Sequence, residues 1–453
     1  MRENSNFTEG SIVRPLIGFS LPVLLALCLQ SLYGAVDLLI VGQFGTAAEV
    51  SAVATGSQMM HMVTVIVTGL AMGTTILLGQ AMGSQKKEVA GNIVGSSIAF
   101  FLLLAIGITV LMLCIAEPFT RMMHAPQEAF FKTMEYVRIC SAGTVFIVAY
   151  NLLGSIFRGL GDSKTPLFTV FCACIFNIVG DLIFVAGLQM QAAGAAFATV
   201  FAQAFSVVLS AAIIKKKGLP FSFSRDNIKF DKKIIGKIIK VGLPIALQDG
   251  LVNISFLAIN SIVNSLGVIA SAGVGVAEKV CAFIMLVPSS FSQSLSAFVA
   301  QNIGAGKRKR ARKAMLCGMG ASLAVGVIMA YLAFFHGELL AGIFSSQEEV
   351  VLAAADYLKA YAIDTLIVSF LFCYIGYFNG CGQTTFVMIQ GIVGAFGVRI
   401  PVSYFVSRTV GATLFKIGLA TPASTIVQII LCTLFFFIYG KREMETKNQG
   451  ETR

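Results

Sequence analysis

The chain is poor in histidine, with three residues, and poor in charge, with Asp, Glu, Lys and Arg together making up 12% of its 453 residues. It has no glycine-rich phosphate loop closing on Lys-Ser or Lys-Thr, and no histidine pair at metal-ligand spacing. These absences leave the chain without an ATP engine and without a recognisable enzyme centre, so any work it does draws on an ion gradient. The ten cysteines, among them Cys28, Cys114, Cys172, Cys174, Cys281 and Cys432, are scattered through apolar segments. They read as small packing residues, not as a disulfide framework or a metal site. No cofactor is expected.

In place of charge there is hydrocarbon. Hydrophobic residues make up 57% of the chain, far above a soluble globular composition. Apolar stretches long enough to cross a bilayer as helix recur at about 15–44, 54–78, 92–115, 135–157, 167–188, 193–214, 240–265, 277–300, 314–335, 356–378, 386–407 and 417–440. That makes twelve spans. Unbroken runs of Leu, Ile, Ala and Gly lack the short alternation of a membrane barrel, so the spans are helical. The many glycines suit close helix contacts in lipid. Pro22, Pro244, Pro288 and Pro401 fall within spans and predict kinks. The apolar run behind Arg2 and Arg14 continues to about Val41 without a small-residue cleavage site, and reads as a mature span rather than a secretion signal.

Basic residues set the orientation. With the amino terminus inside, that face collects Arg2, Arg14, Lys86, Lys87, Arg158, Lys164, the run from Lys215 to Lys240, Lys307 to Lys313, Lys441 and Arg442. The other face keeps only Arg121, Lys132, Arg138, Lys359, Arg408 and Lys416. Both ends are therefore placed in the cytoplasm. The net charge of +11 belongs to cytoplasmic loops beside anionic lipid rather than to a nucleic-acid surface. Residues 215–239 read as a cytoplasmic linker whose second part, from Asp231 to Lys240, sorts isoleucines and lysines onto opposite faces like a helix lying on the membrane. The linker divides an amino-terminal lobe, 1–214, from a carboxy-terminal lobe, 240–440, with a tail at 441–453.

The lobes are copies. Leu21-Pro22 returns as Leu243-Pro244, and Gln80-Ala81-Met82-Gly83 returns as Gln301-Asn302-Ile303-Gly304. Tyr136 returns as Tyr357, and the run from Phe157 to Asp162 returns as Phe378 to Gln383. A single register held across so many loops marks a duplication. Six spans per copy is an even number, so the copies are related by an axis along the membrane normal, and rocking of the two lobes about a cleft gives alternating access.

The copies differ in polar residues. Asp37 corresponds to Ile259, Asn177 to Val398 and Asp181 to Val402. A carboxylate within a span costs several kcal/mol unless paired or hydrated, and marks an ion or substrate path. Asn177 and Asp181, four apart, share a helix face. Asp37, Asp181 and Thr199 all come to rest at roughly 10 Å below the outer surface. Two carboxylates, an amide and a hydroxyl at one depth can coordinate Na+ through oxygen, or hold and release a proton. Tyr33, one turn from Asp37, is placed to donate a hydrogen bond to it.

At these residues the chain resembles the multidrug and toxic compound extrusion (MATE) family of secondary transporters, over essentially its whole length. The motifs are Val36-Asp37 with Val41-Gly42, Gln80 to Gly83, Phe157 to Thr165, Asn177 to Asp181, and Gln301 to Lys307. The resemblance implies an all-α polytopic membrane protein of twelve transmembrane helices in two six-helix lobes. It implies export of organic, often cationic, drugs or xenobiotics from the bacterial inner membrane in exchange for Na+ or H+, as in multidrug efflux and antibiotic resistance. It also implies that Asp37, Asn177, Asp181 and Thr199 form the first-lobe cation site.

Other polar residues stay open. Asp249, Glu278 and Asp364 could contact a cationic substrate, pair with Lys279 or Lys359, or lie at the polar interface, and Asp249 is the deepest of them. Arg399 reads as pairing with a carboxylate or with carbonyls freed by Pro401. His61 could shuttle protons, though a packed polar residue is the simpler reading. The expected partners are small organic molecules and the bilayer, with no nucleic acid, and the protein is expected to be a monomer. A flippase for lipid-linked saccharide precursors would share the architecture but would want a basic groove for pyrophosphate, which the acidic cluster opposes. A passive channel or receptor is the remaining alternative.

Overall fold

Long helices carry almost all of the chain in a computed structural model that describes residues 7–123 and 126–451, without the side chains beyond 440. Arg2 and the last two residues of the tail fall outside the described residues. The helices are α1 (Val13–Phe44), α2 (Ala47–Gly83), α3 (Lys87–Met122), α4 (Gln127–Ala142), α5 (Thr144–Leu160), α6 (Lys164–Asp181) and α7 (Gln191–Lys217). After a stretch with a single 3-10 turn come α8 (Lys232–Asn264), α9 (Val268–Ile284), α10 (Leu286–Gly304), α11 (Arg308–Phe335), α12 (Gly337–Gly342) and α13 (Glu348–Gly380). The last are α14 (Thr384–Ile392), α15 (Ile400–Ser407), α16 (Leu414–Gly418) and α17 (Ala420–Glu451). Widened π turns extend α6 over Leu182–Gly187 and precede α15 over Val393–Arg399. Among the described residues there is no strand.

Among the described residues eleven stretches are long and apolar enough to cross a membrane, or twelve if α4 and α5 count as one broken span. The expected span at 135–157 is bent rather than straight: α4 and α5 meet at an angle of 53°. The break falls at Gly143, where an added Cβ would lie 2.5 Å from a methyl of Val200. Any larger residue would drive α7 away. The prolines also divide. Pro22 and Pro244 lie inside α1 and α8, as does Pro118 in α3. Pro288 and Pro401 sit near the starts of α10 and α15, each inside a longer candidate span, Val268–Gly304 and Thr384–Ser407. The segment read as a surface helix over 231–240 is the start of α8, a continuous 33-residue helix. Burial of Ile235 and Ile238 gives this amphipathic start a protein face to pack on.

The chain forms two compact units. The first comprises Met1–Asp249, Ser296–Ala311 and Gly380–Gly382; the second comprises Gly250–Leu295, Arg312–Asn379 and Gln383–Arg453. The first unit is cored by Val53, Met59, Val67, Leu78, Phe101, Val137 and Ile156. The second is cored by Val274, Val280, Ala333, Tyr357, Leu358 and Tyr361. Leu102, Leu103, Ile106, Val110 and Leu111 stay exposed on α3, as lipid-facing side chains do in a helix with few polar groups.

Within the first unit, the ends of α2 and α10 cross at their last glycines. A Cβ on Gly83 would fall 1.8 Å from the Gln301 carbonyl oxygen, and one on Gly304 would fall 2.0 Å from that of Gln80. Hydrogen bonds cross the same way: Gln80 Nε2 donates to the Gly380 carbonyl at 3.2 Å and Gln301 Nε2 to the Gly159 carbonyl at 3.0 Å. These four positions are matched pairs of the duplication. Beside them, Arg310 holds the amino-terminal segment, donating to the carbonyls of Phe7, Glu9, Gly10 and Ser11 at 2.7 to 2.9 Å. Asn302 adds a bond to the Phe7 carbonyl at 3.0 Å, and the Phe7 ring is buried between Phe19 and Phe298.

Candidate cation-coupling site

Small residues bring the polar ones together. On α6 a Cβ at Gly180 would stand 3.1 Å from that of Ala198, and one at Gly194 would stand 2.9 Å from the backbone of Phe184. This close approach joins α6 and its π turn to α7. With Val200 seated against Gly143, the face of α7 carrying Thr199 is set against α1. Asp181 is the last residue before the π turn, where the extra residue widens the helix and re-aims the side chains beyond it.

The result is one buried cluster. Asp37 is 5% exposed, and Asn177 and Asp181 are 0% exposed. Thr199 Oγ1 donates to Asp37 Oδ2 at 3.3 Å. The Asp37 carboxyl also lies close enough to Asp181 and Asn177 to interact with both side chains. Yet Asp37 Oδ1, both Asp181 oxygens and both polar atoms of the Asn177 amide have no hydrogen-bond partner within the protein. Buried polar atoms without partners are rare and costly. Two adjacent carboxylates with no basic side chain bonded to them repel unless a positive charge is shared between them. Four unpartnered oxygens from three side chains offer that place to a proton or to a small hard cation.

Asp37 sits seven residues before the end of α1, Asp181 six before the end of the π turn, and Thr199 eight after the start of α7. These offsets put all three at one depth, about 10 Å from the nearer helix ends. Tyr33 is half-buried one turn away, interacting with Gln203 and Tyr150 as well as with Asp37. No hydrogen bond joins its hydroxyl to Asp37. Tyr136 and Cys140 of α4 lie within electrostatic reach of Asp37, and the Tyr136 ring is wedged against Gly56.

A second feature escaped the sequence. Glu49, buried in the first turn of α2, forms an ion pair with Lys132 of α4 and accepts the Ala192 N–H at the start of α7 at 3.0 Å. It fastens three helices at the end nearest the cluster and favours the helix dipole of α7. It falls between the expected spans 15–44 and 54–78, and its only sequence signal is an acid at a helix start. The Gln30–Tyr150 bond at 2.6 Å and the Thr68–Asn151 bond at 2.9 Å line the same unit below the cluster.

The remaining candidates do not join the cluster. His61 is exposed on α2, and Asp249 is exposed near the middle of α8. In the second unit, Glu278 Oε2 accepts from Asn260 at 3.0 Å, and Lys279 lies over the Phe344 ring instead of pairing with it. Asp364 Oδ1 accepts from Thr425 at 2.6 Å. Arg399 donates to Ser255 Oγ at 3.1 Å and lies 4.5 Å from the centre of the Phe256 ring. Asp162, in the glycine-rich loop, caps α6 through the Thr165 N–H at 2.9 Å, with Gly161 at φ +82° supplying the turn. That loop is structural.

A duplicated bundle of helices long and apolar enough to cross a membrane, with a polar cluster buried in one repeat, has the form of a membrane transporter. A family profile described as MatE matches residues 22–183 and again 244–405. The chain belongs to that family, the multidrug and toxic compound extrusion transporters. It is 24% identical over 445 residues to "Probable multidrug resistance protein YoeA" of Bacillus subtilis (strain 168), covering 96% of each chain. It is 22% identical to "Multidrug export protein MepA" of Staphylococcus haemolyticus (strain JCSC1435), covering 90% of each. Among solved structures, an outward-facing multidrug resistance MATE family transporter of the MOP superfamily superposes with a TM-score of 0.90 at 20% identity, over 99% of each chain. At that identity the superposition speaks for the fold.

Proposed function

We propose that the protein is an antiporter that exports organic, often cationic, compounds across a bacterial plasma membrane in exchange for Na+ or H+, with both termini in the cytoplasm. The observation that carries the reading is the set of buried, unpartnered oxygens of Asp37, Asn177 and Asp181 beside Thr199. A cation entering this site neutralises the carboxylate pair and lets α1, α6 and α7 close on one another. Drug binding favours the arrangement in which they do not, and by linkage each ligand weakens the other. Asp249 on α8 is the carboxylate that would meet a cationic substrate. The names of the relatives, which speak of multidrug resistance and export, support the same substrate class.

The test is gradient-driven efflux of ethidium from proteoliposomes, run separately with Na+ and with pH gradients. Asp37→Asn abolishes uphill transport while the purified protein melts as the wild type does; full retained transport in that variant removes Asp37 from the mechanism. The gradient that drives the wild type names the ion.

A further inference from the structure

A strained segment sits beside the cation cluster. Among the described residues three that are not glycine have left-handed backbone, and two of them, Gln189 at φ +54° and Gln191 at φ +51°, lie in the link between the π turn and α7. Residues held this way are costly and gather at lids and switches. The link is exposed from Leu188 to Met190. It is folded back on the π turn by the Leu188 N–H, which donates to the Ile183 carbonyl at 2.8 Å, and by the Met190 N–H, which donates to the Phe184 carbonyl at 2.9 Å. It closes where Glu49 accepts the Ala192 N–H.

Glu49 reaches, directly or through this link, every helix that brings a side chain to the cluster. A Cβ on Gly45, which caps α1, would stand 3.2 Å from that of Glu49. The carboxylate holds the first turn of α7, and Thr199 lies two turns further along the same face. Asp181 of α6 is joined to that turn by the π turn and the strained link. The ion pair with Lys132 adds α4, and further along the same faces of α2 and α4 the Tyr136 ring closes on Gly56. The Lys132 side chain is 37% exposed against 7% for Glu49. Water therefore competes for one end of the pair, and pairs open to water are weak. The cluster beneath is shut, with Asn177 and Asp181 at 0% exposure.

We propose that Glu49 and Lys132 form a latch over the cation site, and that the strained link at 188–191 is the spring that opens it. Latched, the pair holds the ends of α1, α2, α4 and α7 together and seals the Asp37 cluster. When water separates Lys132 from Glu49, the link relaxes, the start of α7 comes free, and the cluster opens at that end of the helices. Glu49 and Lys132 are positioning residues, acting on the cation through the helices they tie. The inference rests on the antiport reading above and deepens it: in the orientation proposed there, this is the door by which the ion enters from outside.

The experiment reads water access behind the latch and needs no gradient. Cys140, 2% exposed, lies two turns along α4 from Lys132 on the same face. The full chain in lipid nanodiscs is treated with a cationic methanethiosulfonate, and peptide mass spectrometry gives the rate at Cys140 relative to Cys281, buried in the second unit. Lys132→Met and Glu49→Gln change the local charge in opposite senses, yet each breaks the pair and should raise the Cys140 rate about fivefold. Lys132→Arg keeps the wild-type rate. Gln189→Gly combined with Gln191→Gly removes the left-handed strain, favours the latched form and should slow labelling at least about threefold. Because these two positions lie in the link itself, this variant keeps the proposal open to refutation if either charge variant does not fold. Gly83→Ala, which crowds the far end of α2, separates the latch from general loosening and leaves the rate unchanged. A wild-type rate in Lys132→Met or Glu49→Gln, faster labelling in the glycine pair, or an equal rise in Gly83→Ala overturns the proposal. If no gradient moves ethidium in the wild type, the antiport reading fails, and the labelling rates still decide whether the latch covers the cluster.

Discussion

Gly83→Ala is the most exacting test of the fold, because a single methyl has nowhere to go. Its Cβ would start 1.8 Å from the Gln301 carbonyl oxygen and 2.7 Å from the carbon behind it, both backbone atoms that cannot rotate away. To reach even 3.0 Å, a distance real Cβ atoms essentially never undercut, α2 and α10 must part by at least about 1.2 Å. Overpacking of this kind costs about 1–3 kcal/mol. Parting the helices also strains the Gln301 bond to the Gly159 carbonyl, worth about 1 kcal/mol more. The expected loss is therefore about 2–4 kcal/mol, read as a lower melting temperature and a shifted denaturation midpoint of the purified protein in detergent. Gly304→Ala, with its Cβ 2.0 Å from the Gln80 carbonyl oxygen, should match it. The control is Gly107→Ala on exposed α3, where nothing lies within 4 Å and the better helix former is neutral or stabilising by up to about 1 kcal/mol. If Gly83→Ala melts with Gly107→Ala, the close crossing of α2 and α10 is wrong.

Glu49→Gln keeps an oxygen for the Ala192 N–H but loses the ion pair, and because Lys132 is partly exposed the cost is held to about 1–2 kcal/mol; Glu49→Ala also orphans the N–H and should melt lower still, so equal melting of the two contradicts the capping role. Arg310→Ala frees four carbonyls of the amino-terminal segment, and hydrogen exchange at residues 8–12 should quicken at least about tenfold; wild-type protection in that variant would show that other contacts hold the segment. Thr199→Val removes the hydroxyl bonded to Asp37, and the apparent affinity for the coupling ion should fall about five- to tenfold with little change in maximal efflux; an unchanged affinity removes Thr199 from the ligand set.

Composition and register carried most of the architecture. Hydropathy alone located the spans, and the repeat of Gln80–Gly83 as Gln301–Gly304 located the duplication. Comparing the copies picked out Asp37, Asn177 and Asp181, because an acid within apolar sequence stands out without any knowledge of contacts. The features that stayed hidden depend on partners far away in the chain. The bend falls at Gly143, which Val200 packs against, and no local pattern marks a glycine as needed for a neighbour 57 positions on. Glu49 carries no local mark of its role, because that role is created by Lys132 and Ala192. The isoleucine and lysine alternation before Lys240 suits a membrane-surface helix; the same pattern serves equally well as the half-buried start of a span.

The crossing of α2 and α10 carries a last implication. Gln80 reaches Gly380 while Gln301 reaches Gly159, and each closing glycine rests on the other's glutamine. Such a contact is what two identical six-span chains would make on meeting, each offering one glutamine and accepting one in return. The surface that now joins parts of a single polypeptide is thus suited to an ancestral homodimer, and a first-repeat fragment expressed alone would present the same edge to its own copy.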